Sequence, residues 1–371
     1  MTGRRRLPQD RPGPVPRRRP VGPEPTNEET FTVWEIIWYG LLGVLLAGYL
    51  ALDGITLGTG IIGRLVARSD DDRRTVAAAT GPFFLGNEVW LVSAAGVTLG
   101  GFPGLESTVI TGFYPVIVLA VAALLVREAA TQFRRRVASE RWLRRWDGLV
   151  QGACLVLAVM WGALAGAVLG ALPVRGGELH VSAGVLLRPV PVLSALTAVA
   201  VFALHGAVFL AMRTKGGVAG RAVRLAVRLG PVAAVLGVLT LAGAALDPRA
   251  RDGVLNVLPA ALFALAAIGA ALFAPRLAAS ATGRGGLGAP AVSALAALLP
   301  VAAIGAAHWP QAVVSTHAGQ NMAVKDAAAD PSTLSVVGPV VLLVLPVLLA
   351  FQAMQWWAHR TPADDRSPAY L

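Results

Sequence analysis

Apolar runs of transmembrane length recur along almost the whole chain, and this feature limits the possible folds more than any other. A helix needs about 20 apolar residues to cross roughly 30 Å of hydrocarbon, so each run predicts one membrane-spanning helix. The sequence therefore predicts an all-α, polytopic membrane protein. The nine predicted spans are 34–59, 77–100, 108–126, 148–172, 187–212, 227–246, 254–274, 290–306 and 334–357.

The composition supports a membrane protein and excludes an ordinary water-soluble enzyme. Charged residues make up 14% of the chain, whereas soluble domains carry about 25%. The net charge of +11 could indicate nucleic-acid binding, but the arginines lie in the N-terminal tail and in loops between apolar runs. This placement is typical of membrane topology, so we expect no nucleic-acid partner. The single cysteine, Cys154, lies in an apolar run and predicts neither a disulfide nor a metal site.

The N-terminal residues differ in composition from everything that follows. Residues 1–30 contain seven arginines and repeated prolines, with almost no large apolar side chains. They cannot bury enough apolar surface to fold alone, and we expect a disordered basic tail. Residues 31–360 are predicted to form one transmembrane domain with short loops, and residues 361–371 a short C-terminal tail.

The arginine-rich loops predict how the chain crosses the membrane. The loops at 127–147 and 213–228 should be cytoplasmic, because cytoplasmic loops hold an excess of Lys and Arg. Alternation then places 60–76 and 275–289 on the same side, with the N-terminus outside and the C-terminus in the cytoplasm. The arginines of the tail favour the opposite orientation, but the four internal loops agree with one another and we follow them.

Few ionisable side chains fall inside the predicted spans, and each is a candidate functional residue because a charge is costly to bury in a bilayer. Asp53 lies toward the inner end of span one. It could be a helix-end carboxylate that reaches the interface or pairs with a loop arginine, or it could carry protons. Glu88 lies near the middle of span two and is too short to reach either interface. It must therefore pair, face a wet cavity or be protonated.

The remaining candidates predict no cofactor site in this chain alone. Arg127 and Glu128 close the predicted third span, and His205 lies deep in the fifth. A b-type haem with two protein ligands needs a second His or Met at matching depth, and a lone histidine within a span is more often a hydrogen-bonded packing residue. We therefore predict no haem and no metal ligands here, and no catalytic residue is certain.

Several motifs occur in an order that resembles subunit II of cytochrome bd-type quinol oxidases. LDGITLGTG is followed by DRRT, GNEVWL and GFYPVIVL. The series continues with VREAATQFRRR, RWLRRWD, LHGAVFLAMRTKG, HWPQAVVSTH and the terminal FQAMQWW. GNEVWL alone is moderately specific, whereas the ordered series covers nearly all of residues 31–357. The positions that match the family's motifs are Asp53, Gly54, Gly86, Asn87, Glu88, Trp90 and Arg127.

The resemblance implies a fold, a partner and cofactors. Members of this family have a nine-helix fold with two four-helix bundles and one peripheral helix, and the resemblance implies the same fold here. They pair with subunit I, which holds haem b, haem d and the quinol site, and some members bind a structural quinone or line a proton path. The resemblance therefore implies a heterodimer in the plasma membrane, in contact with lipid and quinol.

This chain departs from the family pattern at positions that are usually acidic. Leu85 replaces the Asp that precedes Gly-Asn, Gln132 replaces the acid before the basic loop, and Thr56 replaces the second acid of the first motif. We expect a subunit II that supports quinol oxidation coupled to oxygen reduction, with Asp53 and Glu88 as candidates for a proton path. The alternatives are a secondary transporter with these two residues at a midplane site, or a purely structural partner subunit.

Overall fold

The structure, a computed structural model, describes residues 32–137, 139–179, 181–281 and 286–364. The tail predicted at 1–30 and most of the C-terminal tail predicted at 361–371 lie outside the described residues, as do the side chains of Phe84 and Leu85. The domain boundaries at 31 and 360 therefore stay predictions.

Ten long helices account for most of the described chain. They are α1 (Val33–Val66), α2 (Asp70–Thr80), α3 (Phe84–Gly101), α4 (Tyr114–Phe133), α5 (Glu140–Leu169), α6 (Pro189–Arg213), α7 (Gly216–Leu246), α8 (Val257–Ala281), α9 (Gly288–His308) and α10 (Pro331–Ala358). A capping box begins α1, because Thr32 N donates to Glu35 at 2.8 Å and Glu35 N donates back to the Thr32 hydroxyl. Proline in the first turn begins α4, α6 and α10, where its missing N–H costs nothing.

Short elements connect these helices. The helical turns are Gly81–Phe83, Pro103–Leu105, Glu106–Ile110, Arg134–Arg136, Ala183–Leu186, Pro248–Gly253 and Val324–Ala327. Two small antiparallel hairpins pair β1 (Val174–Arg175) with β2 (Glu178–Leu179), and β3 (Gln311–Val313) with β4 (Met322–Ala323). These hairpins lie outside the predicted spans.

Nine segments of the described chain are long and apolar enough to cross a membrane, with α2 and α3 together forming the second. This confirms the predicted number of spans and the all-α class. The third span was misplaced: residues 108–126 were predicted, but α4 runs from Tyr114 to Phe133. The physical reason is that Arg127 is not a helix-ending charge, because it is ion-paired inside the protein and the helix continues past it.

The helices pack as two neighbouring groups with α1 between them. α6, α7, α8 and α9 contact one another in a ring, while α1 contacts α3 and α5, and α5 contacts α4. α10 lies outside both groups against α1 and α3, which agrees with the peripheral helix that the resemblance implied. α1 also contacts α6 and α9, so it joins the two groups.

The crossing of α1 and α6 depends on two glycines in direct backbone contact. A Cβ on Gly58 would stand 2.7 Å from Gly206 N, and a Cβ on Gly206 would stand 2.8 Å from Gly58 Cα. No side chain fits at either position unless the helices separate. Small residues allow transmembrane helices to approach this closely, and van der Waals contact then stabilises the pair.

The basic segments of the chain meet at one end of the molecule. Arg64 Nη2 donates to Arg144 O at 2.6 Å, which joins the last turn of α1 to the beginning of α5. Arg221 at the start of α7 donates to Val66 O at 2.6 Å, and Ala363 N donates to Arg213 O at 2.7 Å. We call this the basic end; the hairpins lie at the opposite end.

Candidate functional site

A single buried arginine, Arg127 on α4, contacts three carboxylates. Its Nη1 donates to both oxygens of Asp53, at 3.0 and 2.8 Å, and its Nη2 donates to Glu88 Oε1 at 2.8 Å. Its Nε donates to Glu128 Oε1 at 3.3 Å. The Arg127 side chain is 1% exposed, so these contacts form out of water. A guanidinium group can bind several carboxylates at once, because its five N–H donors point outward from one plane.

Asp53 is the innermost carboxylate of this cluster. It is fully buried in α1, and besides Arg127 it accepts a hydrogen bond from the Thr56 hydroxyl. α1 continues thirteen residues beyond it to Val66, or about 20 Å at 1.5 Å per residue. Asp53 is therefore not a helix-end carboxylate that reaches the interface. It does pair with an arginine, but Arg127 belongs to the helix α4 and not to a loop.

Glu88 and Glu128 form the outer part of the cluster. Their side chains are 26% and 20% exposed, in contrast to Asp53 and Arg127. Both carboxylates contact the same guanidinium, Glu88 through Nη2 and Glu128 through Nε. The sequence left three possibilities for Glu88: pairing, a wet cavity or protonation. The structure shows that it pairs, with Arg127 as its partner.

Sequence reasoning named Asp53, Glu88 and Arg127 but did not predict that the arginine pairs with both carboxylates. Arg127 and Glu128 were interpreted as the end of a span, although Ala129 and Ala130 follow them and could have extended the helix by another turn. A charge within an apolar helix is a signal that a partner lies at the same depth. The sequence alone does not show which of the distant carboxylates that partner is.

The other family-motif positions hold α1, α3 and α10 together around the cluster. Asn87 Nδ2 donates to Leu52 O on α1 at 2.9 Å, and Trp90 is buried where its ring lies over Gly48. Gly54 leaves room for the Phe202 ring, which a Cβ would meet at 3.0 Å. Gly86 faces the Gln355 amide of α10. These residues position helices and do not add charge to the cluster.

His205 does not fit an axial haem ligand in this arrangement. Its Nδ1 is 2.7 Å from the Ser293 hydroxyl and its Nε2 is 2.8 Å from Ala51 O, so both ring nitrogens already have protein partners. The residue is 1% exposed and joins α1, α6 and α9. This is the hydrogen-bonded packing histidine that the sequence predicted. In the part of the chain that the structure describes, no group of His, Cys, Asp and Glu could hold a metal ion.

A cavity of about 480 Å³ connects the basic end with Arg127. Thr56, Thr59 and Thr131 line its inner part beside Arg127, and apolar side chains such as Val76 and Val150 form its walls. The hydroxyl groups could hold water, because a buried water needs two to four polar partners and enough room. The buried arginine therefore has a polar route to the basic end.

A second cavity, of about 630 Å³, lies among α5, α6, α7, α8 and α9 and is almost entirely apolar. Alanine, valine and leucine side chains form most of its lining, and Trp161 and Arg251 are among its few polar side chains. Trp161 Nε1 has no hydrogen-bond acceptor among the described residues. An apolar cavity of this size suits a long apolar ligand.

The fold and the site together define a polytopic helical membrane subunit that buries an ion-paired arginine in its first half. The sequence model of the family described as cytochrome bd terminal oxidase subunit II matches residues 34–359, and the chain therefore belongs to that family. This confirms the resemblance, and the transporter alternative is not favoured. The chain is thus a multi-pass subunit of a haem-containing bacterial respiratory oxidase, with a partner subunit in the complex.

Individual relatives agree with this assignment. The chain is 26% identical over 337 residues to cytochrome bd ubiquinol oxidase subunit 2 of Bacillus subtilis, covering 90% of this chain and 97% of the relative. It is 30% identical over 191 residues to cytochrome bd-I ubiquinol oxidase subunit 2 of Escherichia coli, about half of each chain. The solved bd oxidase of Geobacillus thermodenitrificans has a similar fold, with a TM-score of 0.69 at 14% identity over 87% of this chain and 97% of that one.

Proposed function

We propose that the chain forms a heterodimer with a haem-bearing subunit I, and that haem b and haem d lie in that partner. The engaged nitrogens of His205 support this division of roles. The partly exposed carboxylates of Glu88 and Glu128 support the heterodimer, since a carboxylate that faces lipid is costly and a protein partner would cover it. Replacing His205 with Ala should accordingly leave the haem absorbance of the assembled oxidase unchanged.

The proposed role of the arginine cluster is to hold and release a proton during quinol oxidation. The observation that carries this role is that three carboxylates share one guanidinium, which would leave two uncompensated negative charges if all were ionised. Uncompensated buried charge is strongly unfavourable. One proton shared by Glu88 and Glu128 would remove one of the two charges and leave the other on this partly exposed pair, while Asp53, with both oxygens on Arg127, keeps the arginine in place.

The 480 Å³ cavity is the proposed route by which water reaches the arginine cluster: Arg127 lines it, and Glu88 and Glu128, which contact Arg127, lie beyond its lining. It reaches Arg127 from the basic end past Thr59 and Thr56, whose hydroxyl groups can hydrogen-bond to water. Asp53 is then a positioning residue and not a carrier. The acid missing at Gln132 is not needed for this route, because Gln132 does not line the cavity.

The apolar cavity is the proposed place for a structural quinone. Its volume of about 630 Å³ and its apolar lining suit an isoprenoid chain. A quinone there would stabilise the α5 to α9 region without taking part in turnover. Quinol oxidation itself is assigned to subunit I.

The proposed location is the plasma membrane, with the basic end in the cytoplasm and the N-terminus outside. Cytoplasmic segments hold an excess of Lys and Arg, and three arginine-rich segments converge at that end. The pairing of Ala363 with Arg213 supports a C-terminus on the same side. Cysteine-accessibility labelling of the 134–147 segment tests the orientation, and labelling from the outside would contradict it.

The proton role is tested with Glu88→Gln, Glu128→Gln and the double variant in the assembled oxidase. Glutamine keeps the shape and a hydrogen bond but cannot titrate. We expect quinol-driven oxygen consumption to fall by about tenfold or more in the double variant, because a required proton transfer loses its carrier. Haem absorbance spectra and complex yield should stay at wild-type levels.

Glu106→Gln is the matched control, since it makes the same chemical change at an exposed position outside the cluster. Its oxygen consumption should equal that of the wild type. If the assembled double variant consumes oxygen at the wild-type rate, the proton role is wrong. Glu88 and Glu128 are then buried polar contacts, and the chain is a purely structural partner subunit.

A further inference from the structure

The cavity that reaches Arg127 opens at the basic end between four arginines. Arg64 comes from α1, Arg73 from α2, Arg134 from the turn after α4 and Arg144 from α5. We call these four residues the basic mouth. Four separate chain segments thus bring positive charge to one opening, which no single loop sequence would indicate.

Three of these arginines have carboxylate partners and one does not. Arg73 pairs with Asp70, Arg134 pairs with Asp147, and Arg144 pairs with Glu140 at 2.9 Å. For Arg64, no carboxylate of the described chain lies within ion-pair distance of the guanidinium. Arg64 instead donates to the backbone oxygen of Arg144 at 2.6 Å and lies against Gly148, where a Cβ would stand 3.0 Å from Nη2.

The surroundings of the basic mouth do not supply the missing negative charge. The segments 64–74 and 134–147 together contain ten arginines and five carboxylates, which leaves a net charge of +5. Behind the mouth, the cavity walls include Val76, Ala77 and Val150, so the interior is apolar next to the charged opening. An anion with an apolar part would match both regions.

We propose that the basic mouth binds a phosphate group, and that an anionic phospholipid of the adjoining leaflet supplies it. Basic pockets between transmembrane helices bind acidic headgroups, because guanidinium groups contact phosphate oxygens and the acyl chain stays in apolar surroundings. Arg64 is the principal contact, since its charge is not matched by a carboxylate of the described chain. This site is independent of whether Glu88 and Glu128 carry a proton.

Free phosphate offers the same chemistry from solution, and the two sources differ in one respect. A lipid would also fill the apolar part of the cavity beside Val76 and Val150, whereas inorganic phosphate would occupy only the mouth. The volume of about 480 Å³ exceeds what one phosphate needs and lies within the usual range of ligand pockets. The lipid is therefore the source that accounts for both the charged mouth and the apolar wall beside it, and it leaves the inner part lined by Thr56, Thr59 and Thr131 to water.

Native mass spectrometry of the assembled oxidase in neutral detergent tests the site. Phosphatidylglycerol, phosphatidylcholine and inorganic phosphate are added in separate titrations. We expect one phosphatidylglycerol to bind in preference to phosphatidylcholine. Arg64→Gln should weaken that binding by about fivefold, which is the contribution of one basic residue near an acidic headgroup. Arg64→Gln combined with Arg144→Gln removes two such residues and should weaken it by about 25-fold.

Arg136→Gln with Arg145→Gln is the control, because it removes the same charge from exposed arginines that do not line the cavity. It should change the affinity by less than about twofold on the same scale. If the Arg64 variants do not assemble, Arg144→Gln alone tests the site, because the Arg144 side chain is 61% exposed and its loss should not disturb folding.

Displacement of the lipid by inorganic phosphate would keep the site but assign it to phosphate. Equal binding of both lipids, or equal weakening by the control, would overturn the proposal.

Discussion

The two halves of the molecule use different interactions to keep helices together in a membrane. In the first half, α1, α3 and α4 meet at an arginine with three carboxylates. In the second half, α7, α8 and α9 meet mainly through alanine and glycine, with Ala226, Ala271 and Ala274 among the fully buried side chains. Charge pairing needs particular partners, whereas close packing needs only small residues at the contact.

This difference predicts different responses to substitution. Removing one member of a buried ion network leaves the others uncompensated, so a single change in the first half has a large effect. A change at one alanine in the second half alters a contact that many neighbours share. The substitutions below compare the halves, in order of decreasing expected effect on the free energy of unfolding of the detergent-solubilised complex.

Arg127→Gln should have the largest effect, about 3–5 kcal/mol, because three carboxylates lose their only described cation. Asp53→Asn combined with Arg127→Gln should recover part of this loss, since the most buried charge is removed together with its partner. Denaturant titration of the purified complex measures both values. An Arg127→Gln loss no greater than that of the exposed Arg136→Gln would contradict the importance of the cluster.

Gly58→Val should cost about 1–3 kcal/mol, because a side chain there pushes α1 away from α6. Gly43→Val on the same helix is the control, since a Cβ at Gly43 meets nothing within 4 Å. The measurement is again denaturant titration, together with the yield of assembled complex. If both variants lose equal stability, helix propensity and not the helix crossing explains the effect.

His205→Ala should cost about 1–3 kcal/mol, toward the lower end, since Ser293 and Ala51 O lose a buried hydrogen-bond partner. Ser293→Ala should cost less, because the ring keeps its contact with Ala51 O. The order of the two thermal midpoints distinguishes this network from general packing. A Ser293→Ala loss that exceeds the His205→Ala loss would be inconsistent with the two-sided role of the ring.

Thr197→Val should have the smallest effect, about 0.6 kcal/mol, which is the average for hydrogen bonds between transmembrane helices. Its hydroxyl is 2.9 Å from the Thr240 hydroxyl and joins α6 to α7. The same thermal measurement applies. A loss approaching that of Arg127→Gln would show that the second half also depends on specific polar contacts, and the contrast between the halves would fail.

The number of helices could be predicted from the sequence because apolar length alone determines whether a segment can span a bilayer. The nine spans are confirmed, and most predicted boundaries lie within a few residues of those in the structure. The third span failed because hydropathy treats Arg127 as an end, whereas its ion pairs allow α4 to continue to Phe133. A hydropathy window contains no information about a partner on another helix.

The site was predicted in part for the same reason. Asp53 and Glu88 stood out because single carboxylates in apolar runs are rare, but the sequence assigned neither of them a partner. The structure places Arg127 between them, 74 residues after Asp53 and 39 after Glu88 in sequence. The basic mouth could not be predicted either, because its arginines come from four segments whose meeting depends on helix packing.

The distance in sequence between Asp53 and Arg127 has a consequence for how the protein is made. A ribosome that adds about 5–20 residues per second needs roughly 4–15 s to synthesise the 74 residues that separate them. During that interval α1 has left the ribosome while its carboxylate lacks a cation, at an insertion cost of about 2.5–3.5 kcal/mol for an Asp at a helix centre. The arrival of α4 supplies that cation, so the cost of the Asp53 carboxylate is offset only after the first three spans have been made.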